Sequence, residues 1–507
     1  MPKTNLITTL VCRDYLIEKA TNDPSFILTP VLLGGNNPQC RDPLVLAKVQ
    51  SLVAEFLLTL TLTIGIISAI VAPKLGSLSD QYGRTRILFV SSLGAFFGEV
   101  ITIAIATFPD SIHYRWLLVG GVFDGLCGSF TTGMAISYAY ASDCTEPPKR
   151  AQAFGFFHAC LFAGIAVGPL LAAILYKCTQ SLLAIFYVAL GIHLFFMLLL
   201  ALAIPESLTK KRQLLARERV AETKQARSAT NPTNPNPNTD NSYQTTLKTL
   251  TQSTIHHIVT FFSPLKILYP TGHGTSPKLR ANLIFLAGID TIMFGVAMGA
   301  LQVVILYVNF QFEWQTDDTS IFMSVVNTFR VSALIILLPL LNYVFRTRRA
   351  NRQRRESGFA IPEPLSGSDA LDLWSIRFAI LMEFLGYLGY GLARSGTGFF
   401  IAGIITAFGG IGSPTLQSSL TKHVPHDMVG SLLGATGFLH ALSRVVCPLV
   451  FNLIYARTVG RYTQAVFVVL AGCFGVAFLF SWLISPHGML SRIYPPTFSP
   501  SRSKREQ

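Results

Sequence analysis

Eleven apolar runs, each of about twenty residues and parted by polar stretches, leave this chain few ways to fold. They lie at 52–72, 85–106, 116–139, 151–176, 181–204, 279–309, 318–345, 374–393, 397–421, 428–455 and 462–485. A helix of that length crosses the ~30 Å hydrocarbon core of a bilayer. In lipid each backbone amide must bond within its own segment, which selects helices or a closed barrel, and runs this long and continuously apolar select helices. Half of the 507 residues are hydrophobic and only 13% are charged, against about 25% in soluble domains. The chain therefore reads as an all-α polytopic membrane protein. Residues 1–50 are mixed and polar, and their best apolar run, Leu6 to Cys12, is too short to span or to act as a signal peptide.

The net charge of +14 is a matter of placement. Of the 40 Lys and Arg residues, 27 fall on one side of the threaded spans and 10 on the other, with Arg330, Arg377 and Arg444 inside spans. Basic loops stay cytoplasmic, so the excess predicts a cytoplasmic face touching anionic inner-leaflet lipid, and argues against nucleic acid as a partner. Trp116, Trp314, Trp374 and Trp482 all sit near span ends, as an interfacial belt requires. No Walker loop occurs, so no ATPase is expected. Eight cysteines without a Cys-x-x-Cys pair argue against a metal or redox cofactor. Cys12 and Cys40 share the N-terminal segment and would bridge in an oxidising space, but unpaired thiols are the expectation.

Between the first two spans stands Gly76-x-Leu78-x-Asp80-x-x-Gly83-Arg84-x-x-x-Leu88, read as a short polar loop joining adjacent helices. It resembles the signature loop between helices 2 and 3 of the major facilitator superfamily of secondary transporters, with Gln81 and Thr85 at places where the family carries basic residues and Arg86 standing in for one of them. The resemblance implies two helical bundles moving a small-molecule solute by alternating access, coupled to protons, with no cofactor and no enzymatic step. It also implies a gating role for Gly76, Asp80, Gly83, Arg84 and Arg86, the Asp pairing across the two halves near a helix N-terminus. One span precedes the loop where the family has two, so the first family helix is expected to be absent. The layout is then 1–50 extracytoplasmic, 51–204 as helices 2–6, 205–278 a cytoplasmic loop, 279–485 as helices 7–12 and 486–507 a cytoplasmic tail. Leu10-Val11-Cys12-Arg13 and Ser263-Pro264-Leu265 to Pro270 further resemble the branch with proton-coupled folate and heme carriers and their fungal relatives. A monomer in the plasma or vacuolar membrane is expected. The competing reading is a membrane sensor, or a truncated relative that has lost transport.

Within 205–278, Lys210 to Arg227 predicts a helix on the inner leaflet, Thr230 to Asn238 a disordered linker, and Leu247 to Leu268 a second interfacial helix. The basic run Arg346 to Arg355 is expected to meet headgroups. Laying 151–179 over 430–458 gives six identities: Gly155/Gly434, Val167/Val446, Pro169/Pro448, Leu170/Leu449, Tyr176/Tyr455 and Thr179/Thr458. Such a repeat is what rocking halves need.

Gly121/Gly125, Gly164/Gly168, Gly295/Gly299 and Gly430/Gly434 are spaced for close helix approach. Gly164 to Pro169 also resembles the fifth-helix motif of the superfamily's antiporters, although Ala172-Ala173 replaces its later glycines. A charge inside a span costs about 2.5–3.5 kcal/mol even on the lenient insertion scale, so such residues are functional candidates. Asp124, Asp290, Arg330, Glu383, His440 and Arg444 form that set. By resemblance, Asp124 and Asp290 lie on cavity-lining helices. Each carboxylate either handles protons or makes a packing hydrogen bond, and each Arg either binds an organic anion or neutralises a carboxylate. Glu99, His158 and His193 are weaker candidates.

Overall fold

The computed structural model describes residues 2–22, 38–230, 263–271, 275–314, 316–357 and 367–486. Ten helices among them are long and apolar enough to cross a membrane. The other expected span, 374–393, falls in a further 23-residue helix, Ala370–Leu392, which carries Asp372, Arg377 and Glu383. No strand occurs among the described residues.

The first bundle begins with α1 (Pro2–Asn22), α2 (Pro43–Tyr82) and α3 (Arg84–Thr107). Proline opens α2, where its missing N–H costs nothing. The signature stretch is not a loop: α2 runs through Gly76 and Asp80 to Tyr82, and only Gly83 interrupts the helix. Its φ of 106° is costly for a side-chain-bearing residue, and a Cβ there would lie 2.7 Å from Glu206 Cδ. The polar letters that suggested a loop are a helix end tied down by charge.

The next span is broken into α4 (Leu117–Leu126) and α5 (Ser129–Cys144) by Gly128 and Ser129, both at positive φ. α6 (Arg150–Thr179) and α7 (Leu182–Leu202) complete the bundle. α8 (Lys210–Thr230) confirms the expected helix, but it lies against protein: Arg217 Nε donates to the Gln81 carbonyl at 2.9 Å and Arg219 pairs with Asp427. The linker from 231 and most of the second interfacial helix lie outside the described residues; Ser263–Leu268 is a 3-10 turn.

The second bundle holds α9 (Pro277–Phe312) and α10 (Thr316–Ser332). The latter continues through π-helical turns around α11 (Leu338–Asn342) into α12 (Arg348–Ser357). Then come α13 (Ala370–Leu392), α14 (Gly396–Phe408), α15 (Gly412–Thr421), α16 (Val429–Thr458) and α17 (Ala465–Trp482).

The sequence repeat has a structural counterpart. α6 and α16 are both 30 residues long, each follows a 3-10 turn, and each carries an internal proline, Pro169 and Pro448, at the same register. The shift that lays Arg150 on Val429 also lays Leu117, which opens α4, on Gly396, which opens α14. Both of those spans break midway, at 127–128 and 409–411.

Residues 1–50 hold a helix that the sequence reading did not foresee, and one expectation there is corrected, that of unpaired thiols. Residues 2–22 form a helix whose Leu6, Ile7, Leu10, Val11 and Leu16 are buried with Val53, Phe56 and Ile105 in one core. Hydropathy averaging hides this because charged residues are interspersed with the apolar ones along the helix. Lys3 faces Glu99, and His113 Nε2 lies 2.8 Å from Asp14 Oδ2. Cys12 and Cys40 are joined in a disulfide that ties α1 to the segment before α2.

Candidate functional site

Two features bridge the bundles, a polar latch on one face and a cavity above it. The latch starts from Asp80 at the end of α2. Its Oδ1 accepts the Gly430 N–H at 3.0 Å, and its Oδ2 accepts the Ser431 N–H and hydroxyl, both at 2.8 Å. These are the free amides of the first turn of α16, where the helix dipole favours an anion. Arg84 holds Asp80 from the other side, with Nη1 2.7 Å from Oδ1 and Nε 2.9 Å from Asp143 Oδ2. Glu206 caps α3, accepting the Arg84 N–H at 2.8 Å and the Thr85 N–H at 3.1 Å. Arg84 is fully buried, so its charge depends on these partners.

Close approach allows this. A Cβ on Gly76 would lie 2.7 Å from Gly434 Cα. A second network faces the first across the interface. Arg346 Nη2 lies 2.6 Å from Asp369 and 3.0 Å from Asp372, while Lys422 Nζ lies 2.5 Å from Asp372. Arg346 also donates across to the Pro148 carbonyl just before α6, and Arg150 donates to the Thr421 carbonyl at 3.3 Å. Arg346 thus serves an intramolecular clamp instead of lipid headgroups.

The cavity encloses about 900 Å³ of empty space, counting its open mouth, and is walled by both bundles. Phe130, Met134, Phe162, Met293, Phe294 and Met298 give it an apolar surface. Three polar groups converge on it. His440 Nε2 lies 2.8 Å from Asp290 Oδ2, which also accepts from Gln417, and the His440 ring stacks on Phe294. Asp290 is wholly buried and its Oδ1 has no partner. Tyr138 Oη lies 2.5 Å from His158 Nδ1. Arg330 Nη2 lies 3.4 Å from Glu383 Oε1, and its guanidinium sits over the Phe162 ring at 4.9 Å.

The Major Facilitator Superfamily model matches residues 44–359, more than half of the chain. The protein belongs to the major facilitator superfamily. Among its relatives, an MFS-type transporter, avaJ, of Aspergillus versicolor is 32% identical over 439 residues, covering 85% of this chain and 78% of the relative. Of solved structures, the human organic anion transporter MFSD10 (TETRAN) matches with a TM-score of 0.61 at 15% identity, covering 95% of this chain and 97% of the other. The proton:xylose symporter XylE matches at 0.55 and 12% identity, covering 96% and 98%. At those identities the structures speak for the fold alone. The chain is thus an integral, multi-pass membrane transporter, without an enzymatic reaction.

In this superfamily protein the expected site residues separate into three places. Gly76, Asp80, Gly83 and Arg84 meet at the latch, whereas Arg86 is exposed and takes no part in it. Arg330, Glu383 and His440 line the cavity, and Asp290 is buried behind His440 and Gln417. Asp124 and Arg444 are elsewhere, joined through Ser129, whose hydroxyl donates to Asp124 at 2.8 Å and accepts from Arg444 at 3.4 Å. Arg444 here acts as a neutralising partner at the broken end of α5.

The glycine expectations also divide. Gly121 and Gly125 pack on Leu60, Ile64 and Ile67 of α2, and Gly295 and Gly299 on Cys447 and Phe451 of α16. Gly430 makes room for Asp80 and Arg84, and Gly434 meets Ala72 and Gly76. Gly164 and Gly168 have no heavy atom within 4 Å of an added Cβ, so they do not pack a helix here. Asp143, Glu206, Asp369, Asp372 and Lys422 escaped the sequence reading. Each sits at a span end, where a charge alone is unremarkable, and only their convergence on one face marks them.

Proposed function

We propose that the chain moves a small organic solute by alternating access, coupled to protons. The carrying observation is the cavity itself: both bundles wall it, and it is sealed on one face by interactions that run between them. A solute held there would be exposed to the other side once the latch parts and the halves rock. The latch face is cytoplasmic in this reading, as the Lys and Arg bias indicates.

Asp290 and His440 are the proton-handling pair. A buried carboxylate sharing one oxygen with an imidazole can hold a proton in either of two places, and the first bundle swinging away from this wall of the cavity would change which is favoured. Arg444, Asp124 and Ser129 support the broken helix. The branch with folate and heme carriers remains the finer placement, supported by the segments 10–13 and 263–270.

The test is a solute screen in proteoliposomes holding the full chain, across an imposed pH gradient. The expected result is gradient-driven accumulation of at least one organic solute. Asp290→Asn should abolish accumulation while sparing solute exchange at equal pH. Accumulation that ignores the pH gradient in the wild type would rule out proton coupling.

A further inference from the structure

The Arg330–Glu383 pair has an unusual housing. It sits at the midpoint break between α14 and α15, where Gly409 and Gly410 follow one another. A Cβ on Gly409 would lie 2.8 Å from Glu383 Cδ, and one on Gly410 would lie 2.5 Å from Arg330 Cγ and 3.3 Å from its Nε. The two missing side chains therefore make the space that the ion pair occupies.

The pair is also loosely made. Nη2 reaches Glu383 at 3.4 Å and the Thr406 carbonyl at 3.5 Å, and Nε, though buried, has no hydrogen-bond partner. A guanidinium offers five N–H donors in a planar fork suited to a carboxylate. Here most of that capacity is unspent, in a permanently charged group lining the cavity. By contrast, the Arg84 guanidinium at the latch has bonds of 2.7 and 2.9 Å to two carboxylates.

We propose that Arg330 receives the carboxylate of an aromatic or otherwise apolar organic anion, and that Glu383 leaves the pair by taking up one proton as the anion binds. This rests on the reading of the cavity as the solute site. The balance is simple: one carboxylate anion and one proton enter, Glu383 becomes a neutral carboxylic acid, and Arg330 exchanges one carboxylate partner for another. No net charge is added to the cavity, which is the condition for holding an anion in an apolar surround. The aromatic and methionine walls take the apolar body of the solute.

The other groups that Glu383 meets are consistent with this assignment. Tyr387 and Tyr390 lie near it on α13, and Arg330 comes from α10; His158, from α6, and His440 and Asp290, from the α9–α16 side, lie across the cavity. None of these is a second fixed cation that could keep Glu383 charged once Arg330 turns to the solute.

The probes are 2-naphthoate, the neutral 2-naphthamide and the cation 2-naphthylmethylammonium, titrated by calorimetry against the full chain in lipid nanodiscs. Naphthoate should bind at least tenfold tighter than the amide, with up to about tenfold gain in affinity per unit fall in pH and uptake of up to one proton per anion. Arg330→Gln should lose the preference for naphthoate over the amide. Glu383→Gln, a neutral mimic of the protonated acid, should bind naphthoate as tightly as wild type or tighter, with no proton uptake. Gly410→Ala should lose the preference as Arg330→Gln does, with the charge still present. Equal binding of anion and amide, preference for the cation, weakened naphthoate binding in Glu383→Gln, or no binding of any probe would each overturn the proposal. Selective, proton-linked binding without gradient-driven uptake of naphthoate in proteoliposomes would leave this site standing and remove the transport reading instead.

Discussion

Asp80 carries more connections than its exposed place in the sequence suggests, since one carboxylate accepts two backbone amides, a hydroxyl and a guanidinium. Asp80→Asn keeps the shape but leaves Arg84 with Asp143 as its remaining carboxylate. The Arg84 pair lies within the first bundle and is weakened in either state, whereas the charge-assisted bonds to Gly430 and Ser431, each worth about 1.5–3 kcal/mol, are lost from the latched state alone. The variant should therefore fold and favour the unlatched one. A cysteine placed at Ser418, which is wholly buried on the latch side of the cavity, should alkylate faster in Asp80→Asn than in the parent; equal rates would refute the gating role. The glycines offer a paired comparison. Gly76→Ala puts a methyl 2.7 Å from Gly434 Cα and should lower the thermal midpoint, or raise alkylation at 418 as Asp80→Asn does. Gly164→Ala meets open space and should raise the midpoint slightly, because alanine is worth about 0.5–1 kcal/mol over glycine in a helix. The sequence marked Gly76 through the signature stretch and Gly164 through its four-residue spacing, and only their surroundings show which of the two is packed.

Helices long enough to cross a bilayer are readable in the sequence because twenty apolar letters admit little else, and the agreement from α2 to α17 reflects that. The misreadings came where a second rule competed with hydropathy. α1 packs through Leu6, Ile7, Leu10, Val11 and Leu16, a signal diluted by the charged residues interspersed among them. The stretch 76–82 looked like a loop because its polar letters serve a buried charge network. The breaks at 127–128 and 409–411 left faint signals, Gly128 and the Gly409–Gly410 pair, within runs that otherwise read as continuous. α1 carries its own test. The described cysteines include six free thiols besides Cys12 and Cys40. The denatured, unreduced protein should therefore take up six maleimides by intact mass, and eight after reduction. Eight without reduction would remove the bridge between α1 and the segment before α2.

Taken whole, the molecule is two similar bundles held at one face by charge networks built on each half. On one side Asp80 grips the start of α16, and on the other Arg346 reaches the carbonyl before α6. The internal match of 151–179 with 430–458 pointed to this, but only the shared helix lengths, proline register and midpoint breaks make it a property of the fold. The substrate cavity was less accessible to sequence reasoning. Charged letters within spans singled out Asp290, Arg330, Glu383 and His440, yet nothing in the string says which of them meet, or that Asp124 and Arg444 form a separate pair. The Asp80 contact has a consequence for genetics. Two of its partners are main-chain amides of Gly430 and Ser431, which no substitution other than proline can delete. Suppressors of an Asp80 lesion should then never arise as charge swaps at 430 or 431. They should instead map to positions that weaken the open form, and a selection for regained growth would draw that map directly.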